Sequence, residues 1–267
     1  MVKLSVDRAL LKAKSYAKKG DIEEAQRLYH TILQTFPKNK RAQQGLLALN
    51  KPKQLDDAQS PPQELINQLI NLYNQGQMAA VIEKAALTTE QYPGAFIVWN
   101  ILGAANRRLG LFADALEAFS KATELNPNYV EAYYNMGNVF QDRGQLGEAI
   151  EAYNKALALK PDYAEAYNNM GNALHGQGKL EEAIEAYKKV ILIKPNDVEA
   201  CNNIGNALHS QGKLDDAMEF YNKALALQPD YAEALNNMGN TLKEQGNLDE
   251  AKEAFNKALA LNPNYVE

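Results

Sequence analysis

Two helix-breaking residues return in phase every 34 positions. Gly76, Gly110, Gly144, Gly178, Gly212 and Gly246 form one series, and Pro93, Pro127, Pro161, Pro195, Pro229 and Pro263 form the other. Glycine permits the left-handed backbone that closes a helix, and proline cannot continue one. Between these marks apolar residues recur three and four apart, the spacing of one helix face. The chain therefore reads as an array of two-helix units rather than a domain around a single core.

The unit at 164–197, with positions counted from Ala164, shows the logic. Its first helix is expected to bury Tyr167, Met170, Gly171 and Leu174, and Gly178 at position 15 ends it. The second helix turns Leu180, Ala183, Ile184, Tyr187 and Val190 inward, and Pro195 stops it. Asp162 precedes Glu165 by three residues, the spacing of a capping box. The pair recurs as Asn128/Glu131, Asn196/Glu199, Asp230/Glu233 and Asn264/Glu267. Small residues at positions 8 and 20, here Gly171 and Ala183, let the two helices approach closely.

This pattern resembles the tetratricopeptide repeat, with an aromatic at position 4, Gly at 8, Ala at 20, an aromatic at 24, Ala at 27 and Pro at 32. Residues 96–129 carry it as Trp99, Gly103, Ala115, Phe119, Ala122 and Pro127, and 130–163, 164–197, 198–231 and 232–265 follow. Cys201 and Leu235 replace the aromatic at position 4 and read as buried. Residues 62–95 keep Gly76 and Pro93 but place Leu69 at position 8 and Val81 at 20, a degenerate unit. Residues 6–39 form a further repeat unit, with Gly20, Ala25, Tyr29 and Pro37. The resemblance implies an all-α fold, an α-solenoid in which antiparallel helix pairs build a right-handed superhelix.

Gly20 and Gly76 are 56 apart, so the register slips between the first unit and the rest. Residues 40–49 are expected to add one more helix, completing an N-terminal head over 1–49. The proline-containing, polar stretch 50–61 reads as a linker, and 62–267 as the solenoid, with 266–267 beginning a further repeat. Charge follows the same division. Residues 1–53 carry 12 Lys+Arg against 4 Asp+Glu, and 54–267 carry 16 against 29. The acidic array disfavours nucleic acid as a partner. The basic head reads as a solvated face, with docking onto an acidic surface as the alternative.

No apolar run approaches the roughly 20 residues that span a bilayer, and the N-terminus lacks the apolar core of a secretory signal. The reading is a cytoplasmic protein with no membrane partner. Cys201 stands alone, so no internal disulfide forms. There is no glycine-rich phosphate loop and no Cys-x-x-Cys. His175 and His209 share position 12 of adjacent repeats, which duplication explains better than metal ligation. No catalytic residues, metal or cofactor are called for, and the chain reads as non-enzymatic.

In the tetratricopeptide family the first helices line the concave side. Positions 2, 6, 9 and 13 share one face of that helix. They are Glu131, Asn135, Asn138 and Asp142 in one repeat and Glu165, Asn169, Asn172 and Gly176 in the next. Glu199, Asn203, Asn206 and Ser210 follow, then Glu233, Asn237, Asn240 and Glu244. An Asn amide both donates and accepts. The eight residues Asn135, Asn138, Asn169, Asn172, Asn203, Asn206, Asn237 and Asn240 are therefore the candidate peptide-binding set, gripping an extended peptide by its backbone. The Glu residues at position 2 favour neutral or cationic peptides over acidic ones. The competing reading is polar surface and helix-to-helix hydrogen bonding multiplied by duplication, since "YNKALAL" recurs unchanged at 153–159 and 221–227.

The wording "AEAYNNMGNAL" is also similar to the superhelical arm of O-linked N-acetylglucosamine transferases, where position-6 asparagines contact substrate peptides. It is similar as well to the arms of bacterial glycosyltransferases and sulfotransferases. The 96–129 repeat departs from it, with Ile97, Ile101 and Ala104 on the wall and Arg108 adding a cation. Two functions follow: a protein–protein interaction scaffold, or the substrate-recruiting arm of a larger transferase whose catalytic domain is absent. The stop at "NPNYVE", at the start of a new first helix, favours the second. Self-association through repeat ends is a third, through an incompletely covered face at Phe255, Ala258 and Leu259.

Overall fold

The computed structural model describes residues 6–19, 21–50 and 60–263. Among these residues there are fifteen helices and no strand. The chain divides into two compact units, Met1–Ser60 and Pro61–Glu267. The first contains α1 (Val6–Lys19), α2 (Ile22–Thr35) and α3 (Lys40–Asn50). Leu10, Ala13, Tyr29, Ile32 and Ala42 form its core.

The second unit is an α-solenoid of six helix pairs: α4 (Gln63–Asn74) with α5 (Met78–Gln91), α6 (Phe96–Arg108) with α7 (Phe112–Leu125), and α8 (Val130–Asp142) with α9 (Leu146–Leu159). Then come α10 (Ala164–Gly176) with α11 (Leu180–Ile193), α12 (Val198–Ser210) with α13 (Leu214–Leu227), and α14 (Ala232–Glu244) with α15 (Leu248–Leu261). Among the described residues each helix packs only within its own pair or on an adjacent one. The core is therefore a row of overlapping clusters, as expected of a quasi-one-dimensional stack.

The glycine marks act as expected. Gly178 has φ +73°. Its N–H donates to His175 O over 2.9 Å, and the Lys179 N–H donates to Leu174 O over 3.0 Å. These two bonds make a Schellman closure, which satisfies carbonyls that α10 would leave unpaired. The position-8 glycines serve a narrower purpose than helix approach in general. A Cβ on Gly205 would lie 2.5 Å from Tyr221 Cε1, and one on Gly171 would meet the Tyr187 ring in the same way. Each glycine makes room for the position-24 ring of its own repeat, and Phe119, Tyr153, Tyr187 and Tyr221 are among the largest fully buried side chains.

The expected buried residues are mostly in place. Leu174, Ala183, Ile184, Tyr187 and Val190 are buried, while Tyr167, Met170 and Leu180 are half-buried. Ala166 and Ala173 are fully buried as well, because the first helix is covered on two sides, by its partner and by the preceding repeat. At the far end Ala258 is buried, Phe255 half-buried and Leu259 39% exposed, so the open face expected there omits Ala258.

The capping boxes do not form. The residues at the helix starts are Tyr129, Tyr163 and Tyr231, one later than expected, and none makes a side-chain cap bond. Asp197 does cap α12, accepting from the Ala200 N–H over 2.9 Å, but it too stands one residue after the expected Asn196. The physical reason is aromatic packing. The Tyr163 ring lies 4.9 Å from that of Tyr134, and Tyr129 lies 4.9 Å from Phe96, each on the preceding first helix. Burying a ring there outweighs a cap bond of about 1 kcal/mol. Glu131, Glu165, Glu199 and Glu233 still sit in the first turn, where they favour the helix dipole.

Gly20, the stretch 51–59 of the expected linker, the Asn264/Glu267 pair and the further repeat at 266–267 lie outside the described residues. No helix among the described residues is long and apolar enough to cross a membrane.

Candidate functional site

The asparagines of the first helices divide into three kinds by position. Position 5, absent from the expected set, is the hub. Asn202 is fully buried. It accepts from Asn237 Nδ2 over 3.0 Å and donates its own Nδ2 to Glu233 Oε1 over 2.9 Å, both on the following repeat. Asn168 does the same one repeat earlier, accepting from Asn203 Nδ2 at 3.1 Å and donating to Glu199 Oε1 at 2.8 Å. Asn100 accepts from Asn135 Nδ2 over 3.0 Å. The signal that could have revealed this was a second asparagine one residue before Asn169, Asn203 and Asn237. A helix-face count places it off the wall, yet the neighbouring repeat is near enough to reach it.

Position 6 holds Asn135, Asn169, Asn203 and Asn237, all half-buried. Each gives its Nδ2 to the preceding repeat. Asn169 reaches Tyr134 Oη at 3.1 Å and Asn138 Oδ1 at 2.9 Å, since Tyr134 stands where the other repeats have the position-5 Asn. The expected set is thus not a row of amides free at both ends.

Position 9 is tied inside its own repeat. Tyr187 Oη donates to Asn172 Oδ1 over 2.7 Å, and Tyr221 Oη donates to Asn206 Oδ1 over 2.9 Å. Tyr153 Oη donates to Asn138 Oδ1 over 2.8 Å, and Asn138 is buried. Burial pushes the phenols of Tyr153, Tyr187 and Tyr221 well above the usual tyrosine range. They therefore remain neutral donors at physiological pH. In the last repeat the position-24 ring is Phe255, with no hydroxyl to offer, and Asn240 is exposed and makes no side-chain hydrogen bond among the described residues.

Subtracting these bonds leaves a regular pattern. Among the described residues, the Oδ1 atoms of Asn135, Asn169, Asn203 and Asn237 accept nothing, and the Nδ2 atoms of Asn172 and Asn206 donate nothing. None of them is sealed from solvent. Repeats 164–197 and 198–231 each present one fixed acceptor and one fixed donor, from positions three apart on one helix face.

The charged residues are also engaged. Glu165 lies 2.6 Å from Lys194 Nζ, and that ammonium holds its carboxyl below the usual range. Position 12 reaches position 13 of the next repeat. Arg107 Nε donates to Asp142 over 2.6 Å, His175 Nε2 lies 3.2 Å from Ser210 Oγ, and His209 Nε2 lies 3.2 Å from Glu244 Oε1. The histidines thus join repeats, and among the described residues no three His, Cys, Asp or Glu side chains converge as metal ligands do. Toward the N-terminal end of the wall, Arg108 lies over the Tyr73 ring at 5.3 Å and shares a cleft of about 260 Å³ with Asn135 and Asp142.

A profile described as "TPR repeat" matches residues 103–142, 137–178, 171–212 and 205–246. Two further profiles, both described as "Tetratricopeptide repeat", match 232–265 and 9–39. No curated protein matches the sequence. Among solved structures, a crystal structure of MamA is 30% identical with a TM-score of 0.57, over 61% of this chain and 95% of that one. A MamA fragment from Desulfovibrio magneticus is 22% identical with a TM-score of 0.59, over 64% of this chain and 97% of that one. YrrB, described as a TPR protein with an unusual peptide-binding site, is 24% identical with a TM-score of 0.57, over 68% of this chain and 93% of that one. The last two likenesses speak to the fold alone.

Proposed function

The chain belongs to the tetratricopeptide repeat family, and on that premise we propose that the asparagine wall of α8, α10, α12 and α14 binds an extended segment of a protein partner by its backbone. The fold is a repeat scaffold of the kind that serves protein–protein interaction. The observation that carries the finer reading is the pairing left on the wall. The preceding repeat holds the Asn203 amide with its carbonyl outward, and Tyr221 holds the Asn206 amide with its NH₂ outward. A peptide unit offers one N–H and one C=O, the complement of that pair. Because both amides are already held, little rotamer entropy is lost when a peptide docks.

Neighbouring helices pack about 8–10 Å apart, and an extended peptide advances about 3.3 Å per residue. One repeat therefore serves roughly every third peptide residue. Each bond contributes about 0.5–1.5 kcal/mol, so the contact is modest in affinity and broad in side-chain preference. Two of the four position-2 carboxylates that face the wall are already taken up by Asn168 and Asn202, which softens the bias against acidic peptides.

The test is the double variant Asn172→Asp/Asn206→Asp. Aspartate still accepts from Tyr187 and Tyr221, so the repeat bonds survive, but the outward donor becomes an acceptor facing peptide carbonyls. Peptides selected by phage display on the parent should lose binding by about tenfold or more, with the helical circular dichroism unaltered. Unchanged binding by the double variant would remove the wall from the function.

A further inference from the structure

On the side of the array formed by the second helices, α11 and α13 flank a groove floored by α12, with a cavity of about 720 Å³. That is within the usual size of a small-molecule site. Its lining is where this otherwise duplicated array departs from its own pattern. Lys188 at position 25 replaces the Ser or Asn of the other four full repeats, and Leu192 at position 29 replaces their Glu or Ala. Across the groove, Phe220 at position 23 stands where the others have Ala, and Cys201 at position 4 stands where they have an aromatic or Leu. All four departures line the one cavity.

Their chemistry is consistent. Cys201 removes a ring and its bulk from the floor, leaving a small, buried thiol. Phe220 and Leu192 add apolar walls, and Leu192 is 74% exposed. Lys188 joins Lys189 and Lys223 at the rim, where Glu185 is the one lining carboxylate beside these three cations. Lys188 and Lys223 are paired with Glu185 at 2.9 Å and Glu219 at 2.8 Å, but these are exposed pairs within one helix and exchange readily for another anion. Lys189 makes no ion pair among the described residues. The neighbouring groove between α9 and α11 is the control: about 420 Å³, with Tyr167 on its floor, Glu181 and Glu182 on its rim, and Glu185 and Lys189 shared with the first groove.

We propose that the groove over Cys201 binds a small amphiphilic carboxylate, its apolar chain against Leu192, Cys201 and Phe220 and its head among Lys188, Lys189 and Lys223. The array as a whole is acidic, so this cationic rim around an apolar floor selects an anion locally. The site is independent of the asparagine wall.

Dodecanoate, below its micelle concentration, is the probe, with calorimetry of the full chain. A single molecule should bind per chain, and binding should slow alkylation of the sole thiol, Cys201. The variant Lys188→Asn/Leu192→Ala/Cys201→Tyr/Phe220→Ala takes at each site a residue that another repeat carries, so the fold is retained. It should bind dodecanoate about tenfold more weakly or less, and the parent should bind dodecanol and dodecylamine weakly by the same measure. The proposal fails if the parent takes up no dodecanoate, if the variant binds it equally, or if dodecanol binds as tightly. It fails also if the parent ignores dodecanoate but binds a synthetic Glu/Leu amphipathic helix, or phosphatidylglycerol vesicles, through these same residues.

Discussion

Tyr187 Oη donates to Asn172 Oδ1 over 2.7 Å, and that bond decides which end of the Asn172 amide faces outward. Tyr187 is 2% exposed, so the donor cannot turn to water instead. Tyr187→Phe should keep the fold, because Phe119 and Phe255 already occupy the same position in other repeats. It should cost about 0.5–1.5 kcal/mol in urea unfolding. The Asn172 side-chain amide signals in NMR should also shift toward the solvated values of Asn240. An unshifted amide would mean that the hydroxyl does not hold it.

Asn202 is the most demanding of the polar residues, since it is fully buried and both its ends are bonded to the following repeat. Asn202→Ala strands Asn237 Nδ2 and Glu233 and should destabilise by about 1–3 kcal/mol. Hydrogen exchange should quicken in α14 and α15 and stay unaltered in α6. Uniform loosening would contradict nearest-neighbour stacking.

Gly171→Ala drives a methyl into the buried Tyr187 ring. Overpacking of this kind costs about 1–3 kcal/mol. The double variant Gly171→Ala/Tyr187→Leu should lose less than the two single losses summed, because the leucine leaves room for the methyl. Additive losses would show that the ring is not what the glycine accommodates.

Alkali should unfold the array in a defined window. Burial pushes Tyr129 and Tyr163 from 10.0 up to about 12, and Tyr153, Tyr187 and Tyr221 higher still. A group whose folded pKa is raised binds its proton more tightly in the native state. Its stabilisation is complete below the unfolded value and is lost as pH rises through the folded one. Urea midpoints should therefore hold up to about pH 10 and fall between about 10 and 12. Phenolate absorbance of the buried tyrosines should appear together with loss of helix. Ionisation of these five tyrosines near pH 10 without unfolding would contradict their burial.

Much of the fold was legible in residue order alone. Gly178 and Pro195 mark helix ends because their backbone restrictions are local, and Ala183 and Tyr187 point inward because helical spacing allows nothing else. The caps were misread for a reason that is not local. Asp162 and Glu165 have the right spacing, but Tyr163 lies between them and its ring finds Tyr134 on another repeat. The wall was legible as a face, and its bonding was not. Asn138 reads like Asn172 and Asn206, yet it is buried under Tyr153 and Asn169.

The sequence by itself determined the period, the helix pairs, their turns and the face on which Asn169 and Asn172 lie, because each follows from dihedral preference and the 3.6-residue turn. Only the tertiary structure decided that Asn168 joins two repeats, that Asn169 is held by its nitrogen and Asn172 by its oxygen, and that Cys201 and Phe220 face one cavity. An amide has two chemically different ends, and helical periodicity says nothing about which end meets a partner. That choice is made across contacts 15, 31 and 35 residues apart in the chain, where the stacking of one repeat on the next sets the distance.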